Sequence, residues 1–460
     1  MHKMTRTTVS LATLVLLLAP ALSQATDATA PAASSYNTST ARFTPLTQPL
    51  ALKADDFKEA DLWGRIRTGY AIPDLNNELV AKHVNSYAAH PDSLARVSAR
   101  ASRYLFHVVT ELEKRGMPTE LALLPIIESA FNPQALSSAN AAGMWQFVPG
   151  TGKDFNLKQN MFKDERRGVL ASTDAALSYL QKLYGMFGDW QLALAAYNWG
   201  EGNVQKAIKK NQSLGKPTDF DSLADLMPAE TRNYVPKLQA VKNIIANPAQ
   251  YNVNLPAISN EAYFTAVDKT SDIDLTVAAQ LAEMSVDEFK ALNPQFNRPV
   301  ITGNEQTKIL LPKENAEKFT ANLANWGHAL SSWTTHKISG ARESIASLAS
   351  RFSTTPEVIR QANNIPASKQ LKAGSTILVP KISTSTSGDI ADQIVDNATV
   401  AFEAERSGRR VVASNRPLTG AQKLKARAAE AVAAIKSRVS GKGGKTVVAD
   451  KQSRTRKNAG

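Results

Sequence analysis

The chain has 460 residues, 43% of them hydrophobic, which is material for about two to four domains with a sizeable core. It carries 54 Lys plus Arg against 41 Asp plus Glu, a net charge of +13, and has no cysteine. Disulfides, thiolate metal sites and a lipid-modified cysteine near the N-terminus are thereby excluded.

In chain order, the opening "MHKMTRTTVSLATLVLLLAPALSQATDATA" places His2, Lys3 and Arg6 before an apolar run from Val9 to Leu22, with Ser23 and Ala25 as small residues at a cleavage position. Residues 1–25 read as a secretory signal peptide, because the run is interrupted by Pro20 and falls short of the ~20 residues that span a bilayer. Residues 26–54 are a Pro/Thr/Ser/Ala linker, and a helical extension is expected over 55–116. Within it, "SLARVSARASRYLFHVVTELEKRG" puts Leu94, Val97, Ala101, Tyr104, Leu105 and Val108 on one stripe and predicts a single helix ending at Gly116.

Met117-Pro118 predicts the start of the next helix, which carries "LLPIIESAFNP" and is stopped by Asn132-Pro133. Glu128 is the only charge in that apolar stretch. It is placed at a helix C-terminal end, where the dipole and the apolar neighbours both disfavour a carboxylate. Further on come "SAFNPQALSSANAAGMWQFVPGTG", "GDWQLALAAYNWGEGNV" and "MPAETRNYVPKL". Singly, each has a structural reading: turn glycines, a buried stripe of Trp190, Leu194 and Tyr197, and a solvated Arg232. After residue 260 the pattern becomes short strands flanking helices, and it occurs twice. "AAQLAEMSVDEFKALNPQF" with "KILLPK" recurs as "IASLASRFSTTPEVIRQANNI" with "TILVPK", each copy reading as strand, helix, helix, strand.

From Ile382 to Gly460 there are 15 Lys plus Arg against 7 Asp plus Glu in a segment poor in aromatics, so 382–460 reads as a basic, disordered tail. Within it "AQKLKARAAEAVAAIKSRV" could lie as a basic helix on an anionic wall or membrane surface. The histidines (His2, His83, His90, His107, His328, His336) are scattered with no paired metal-ligand motif, so no metal and no cofactor are expected, and an exported chain is not expected to meet nucleic acid.

Together the ordered motifs resemble the lytic transglycosylases of peptidoglycan, over roughly residues 55–381. The family pattern is matched by Glu128-Ser129, Asn132-Pro133, Ser137, Gly143 with Gln146, Pro149, Thr151, Ala196-Tyr197-Asn198 and Glu230-Thr231-Arg232-Asn233-Tyr234-Val235. The two repeats resemble LysM modules, which bind N-acetylglucosamine-containing polymers. Arg342 stands where that family usually has Gly, and the first copy has a shortened opening.

The resemblance implies an α+β multidomain chain: a mainly α-helical, lysozyme-like catalytic domain over 117–250, then two small βααβ LysM modules. The first, degenerate, module spans 260–313, a linker 314–332, and the second module 333–381. It also implies an exported envelope enzyme that cleaves glycan strands with Glu128 as the catalytic acid. Ser137 and Gln146 would contact sugar, Tyr197 would position the Glu128 carboxyl, and Asn198, Glu230 and Tyr234 would line the groove. Two departures stand out. Relatives commonly have a lipid-modified cysteine, and Gly168 follows "DERR" where they often have an acid. A goose-type lysozyme-like hydrolase using Glu201 or Glu230 with water, and a non-catalytic wall-binding protein, are the alternatives.

Overall fold

The computed structural model describes residues 61–303, 307–340, 343–382 and 388–403. The expected leader, the linker of 26–54, residues 55–60 and the tail from 404 onward lie outside the described residues. Among the described residues no helix is long and apolar enough to cross a membrane.

Helix α1 (Leu62–Thr68) buries Leu62, Trp63 and Ile66. Helix α2 (Glu78–Ala88) is opened by the Asn77 side chain, which accepts from the amide of Val80. The run expected as one helix up to Gly116 is two, α3 (Pro91–Ala101) and α4 (Leu105–Lys114). The break turns Tyr104 inward, where its hydroxyl donates to the carbonyl of Ala291 at 2.7 Å, and Arg100 reaches the carbonyl of Ala130, also at 2.7 Å. Packing overrides local periodicity here. A second expectation is corrected close by: Thr119–Leu123 is a 3-10 turn, and only then does α5 (Leu124–Ser129) begin.

The helical body continues with α6 (Pro149–Asp154), α7 (Val169–Phe187), α8 (Trp190–Trp199), α9 (Glu201–Ser213), α10 (Phe220–Leu223) and α11 (Ala229–Ala246). Leu62, Val84, Val108 and Leu112 share one buried cluster with Leu123, Trp145, Leu180, Leu194 and Ile244. The segment expected as a separate extension is therefore part of the same core from residue 61 on, with α2 packed along α11. The apolar faces of these N-terminal helices are buried in this shared core.

The repeats are built as expected, with additions. In the first, β1 (Phe264–Asp268) pairs antiparallel with β4 (Lys308–Pro312), and β2 (Ile273–Asp274) pairs with β3 (Val300–Ile301) around α12 (Leu275–Leu281) and α13 (Val286–Leu292). In the second, β5 (Trp333–Lys337) pairs antiparallel with β6 (Thr376–Pro380) around α15 (Ile345–Arg351) and α16 (Pro356–Asn363). The same device closes both. Asn293 exchanges hydrogen bonds with the main chain of Leu310 (2.7 and 2.8 Å), and Asn363 does so with Leu378 (2.8 and 2.6 Å).

Residues 314–332, expected as a linker, instead open with α14 (Lys313–Ala324), whose Ala316 and Phe319 complete the core of the first module. That module is too small to bury its sheet unaided. Part of the segment expected as a tail from 382 is built into the fold. Residues 388–403 are ordered against the modules, with α17 (Asp392–Asn397) and a bridge from Phe402 to Leu371. Ile390, Val395 and Ala398 join Met161 and Phe162 of the helical body, Val300 of the first module and Ala362 and Leu378 of the second in one apolar cluster.

Candidate active site

Helix α5 is short and ends abruptly, which is what presents Glu128. Ala130 and Phe131, the two residues after Ser129, are both left-handed (φ 52° and 56°), a conformation that is uncommon outside glycine. Burial of Phe131 and the Arg100 bond to Ala130 hold them there. The amide of Phe131 donates to the carbonyl of Pro125 at 2.9 Å, closing the helix end.

The facing wall is the 135–148 loop. Gly143 has φ +83°, and a Cβ there would lie 2.0 Å from the carbonyl oxygen of Arg166, so no side chain fits. Gln146 is also left-handed (φ 50°) and its side-chain Nε2 donates to the carbonyl of Gly143 at 2.8 Å. Ser137 accepts the amide of Ala141 with its hydroxyl at 3.0 Å. Buried Arg166 braces the loop from behind, donating to the carbonyls of Asn140 (2.6 Å) and Phe147 (3.0 Å) while paired with Asp164. Sequence reasoning passed over Arg166; its signal was a charge pair, Asp164 and Arg166, two residues apart in a turn-rich stretch.

Glu128, Ser137, Gln146, Tyr197, Asn198, Glu230 and Tyr234 all line one cavity of about 610 Å³. Lys237, Trp199 and Thr151 line it too. Tyr234 on α11 donates its hydroxyl to Oε1 of Glu128. Tyr197, the residue expected to do this, instead donates to the carbonyl of Trp145 at 2.9 Å. The hydroxyl that positions the carboxyl is thus Tyr234, reaching from the helix opposite. Asn198 accepts the Thr231 hydroxyl at 2.7 Å, tying α8 to the first turn of α11.

Burial pushes the Glu128 carboxyl up to about 7, opposed by the Tyr234 hydrogen bond and the Lys237 charge and helped by the negative charge of Glu230. Burial, with the Glu128 charge next, raises Tyr197 and Tyr234 well above the usual phenol range, so both stay neutral donors. Glu201 behaves differently. Burial raises it, but its own amide, Lys182 (3.0 Å) and Tyr179 (2.9 Å) outweigh that and hold it below the ordinary carboxylate range. Among the described residues no cluster of three or more His, Asp or Glu side chains is arranged to hold a metal ion.

Comparison with known proteins fits this arrangement. Residues 109–220 match the Transglycosylase SLT domain family, 263–327 the LysM-like domain of lytic transglycosylase MltD, and 341–380 the LysM domain. Membrane-bound lytic murein transglycosylase D of Escherichia coli is 36% identical over 332 residues, covering 70% of this chain and 73% of that one. An Alteromonas protein named for tributyltin chloride resistance is 42% identical over 165 residues, 35% of this chain and 76% of that one. Soluble lytic murein transglycosylase of Escherichia coli is 32% identical over 130 residues, 27% of this chain and 19% of that one. A single raised carboxyl in a sugar-sized cavity, an SLT match over the elements that build it and two LysM-type matches behind it have one common account: the chain belongs to the lytic murein transglycosylase family.

Proposed function

We propose that the protein cleaves the β-1,4 bond between N-acetylmuramic acid and N-acetylglucosamine in peptidoglycan glycan strands and leaves a 1,6-anhydro-muramic end. The observation that carries the reading is a buried carboxyl, Glu128, pushed up to about 7 by that burial, lining a cavity of about 610 Å³. Glu128 gives its proton to the leaving glycosidic oxygen as the C1–O bond breaks. The resulting carboxylate takes the proton of the muramic 6-hydroxyl, whose oxygen then bonds to C1. One carboxyl serves as acid and then as base. The 2-acetamido group of the substrate shares the positive charge in between.

Tyr234 keeps the carboxyl aimed through both steps, Ser137 and Gln146 offer polar contacts to sugar, and Asn198 and Tyr197 shape the floor. Glu230, at the exposed mouth, supplies the negative charge that favours the protonated form of Glu128. The LysM-type modules hold the glycan polymer. The leader would export the chain to the cell envelope, and the basic tail would add contact with anionic wall or membrane.

The test is the mass of muropeptides released from purified sacculi. Anhydro ends, one water lighter than hydrolysed ends and inert to borohydride, support the reading. Reducible ends would place a water and a second carboxylate, Glu230 or Glu201, in the reaction.

A further inference from the structure

The bond between Glu128 and Tyr234 joins two segments that have a second tie eight residues away on each. Glu120 lies in the 3-10 turn that runs into α5, and Lys242 lies two turns beyond Tyr234 on α11. Glu120 is 1% exposed, and its Oε1 accepts from the amides of Ala71 (2.8 Å) and Ile72 (2.7 Å) and from Lys242 Nζ (3.1 Å). Lys242 also donates to the carbonyl of Ile72 and to Asp74, both at 2.8 Å. Gln239, one turn before it, accepts the amide of Leu75 at 3.1 Å and donates to Asp74 at 2.9 Å.

The pairings run antiparallel: 120 meets 242 and 128 meets 234. Eight helical residues rise about 12 Å, and the mixed 3-10 and α segment opposite rises by a similar amount, so the two ties share one register. A slip of α11 along α5 breaks both together. A pair of buried ions is weak as a source of stability but strict in geometry, since a displaced partner leaves an uncompensated charge. The 71–75 segment locks the far end from the side, and this explains why the N-terminal helices are integral to the core.

We propose that Glu120 and Lys242 are positioning residues: their buried ion pair sets the register of α11 against α5 and so holds the Tyr234 hydroxyl on Glu128. The inference rests on the reading of Glu128 as the reacting carboxyl. The charged or titratable groups facing Glu128 are Tyr234, Glu230 and Lys237 from α11 and Tyr197 from α8. Those facing the Glu120–Lys242 pair are Asp74 and Tyr70.

The experiment measures kcat, KM, the pH dependence of kcat on soluble glycan fragments and the thermal midpoint of the full chain. The variants are Lys242→Arg, the double substitution Glu120→Gln with Lys242→Met, and Leu183→Ala, a core change on α7, a helix that carries none of the four residues of the two ties. The double substitution leaves no unpaired buried ion, so the fold survives to be assayed. Its expected result is about a tenfold loss of kcat with KM within about twofold, and an alkaline limb moved to higher pH as Glu128 loses the donor that steadies its charged form. Lys242→Arg recovers most of the rate, whereas Leu183→Ala lowers the thermal midpoint and leaves the limb in place.

A folded double variant with the wild-type rate and limb overturns the inference, and so does an equal limb shift in Leu183→Ala. The product of the wild type is assayed alongside. Hydrolysed ends would defeat the proposed reaction, while the limb would still report on the Glu128 carboxyl, so the two failures are read separately.

Discussion

Ser129 donates its hydroxyl to the main-chain carbonyl of Met144 at 3.0 Å, so the residue that follows Glu128 also fastens the loop that carries Gln146. The next carbonyl along, that of Trp145, is held by Tyr197. Ser129→Ala removes one of these two fasteners. It is expected to lower kcat on soluble glycan several-fold and to cost about 1 kcal/mol of stability, the usual worth of one such bond. Parallel kinetics and urea unfolding check this, and unchanged kinetics would reduce Ser129 to a helix-end residue.

Glu128→Gln keeps the shape and the oxygen that accepts from Tyr234 but has no proton to transfer. Loss of about 10²- to 10⁴-fold in product release is expected, with sacculus pelleting near wild type. Residual turnover within tenfold of wild type would remove Glu128 from the role of acid.

The pH dependence follows from the raised carboxyl. The reaction starts from protonated Glu128, so kcat/KM should fall as pH rises through about 7. Tyr234→Phe removes a donor that favours the charged form, and the limb should move to higher pH. Stability carries the same signature. The folded state binds the proton more tightly than the unfolded one, so Glu128 costs stability progressively as pH rises from 4.5 to about 7. Glu128→Gln should therefore raise the thermal midpoint more at pH 8 than at pH 4, and the opposite order would contradict the burial of this group.

Asn363→Ala strips the second module of both bonds to Leu378 and leaves a buried amide and carbonyl without partners. A cost of about 2 to 4 kcal/mol is expected, seen as an earlier calorimetric transition, with weaker sacculus pelleting and unchanged turnover of soluble fragments. Asn293→Ala should behave likewise for the first module.

Truncation after residue 403 and truncation after 382 should differ. The first leaves the ordered segment in place and is expected to alter salt-sensitive binding only. The second uncovers Val300 and Leu378 and should lower the midpoint of the modules. Equal midpoints would mean that 388–403 merely lies on the surface.

Much of this was legible in the chain because it is local. Glu128 announced itself as one charge among apolar neighbours, and the repeat was visible in "KILLPK" and "TILVPK". What the sequence could not supply were partners distant along it. Tyr234 lies 106 residues from Glu128, and nothing in "ETRNYVPKL" separates a tyrosine that bonds the carboxyl from one that packs. Tyr197 carried the stronger local motif but was committed to Trp145. The helix break at Tyr104, the core role of α14 and the ordered 388–403 segment all depend on surfaces that exist only once other elements are folded.

The cluster of Met161, Phe162, Val300, Leu378, Ile390, Val395 and Ala398 takes residues from the helical body, both modules and the C-terminal segment. A sugar-gripping module on a slack string lets a cutting site visit every bond within the string's reach, with a local concentration set by its length. Among the described residues the modules pack directly on the helical body through this cluster. With the modules packed on the body in this way, fragments left on an insoluble strand are expected to cluster around fixed lengths instead of following a smooth distribution.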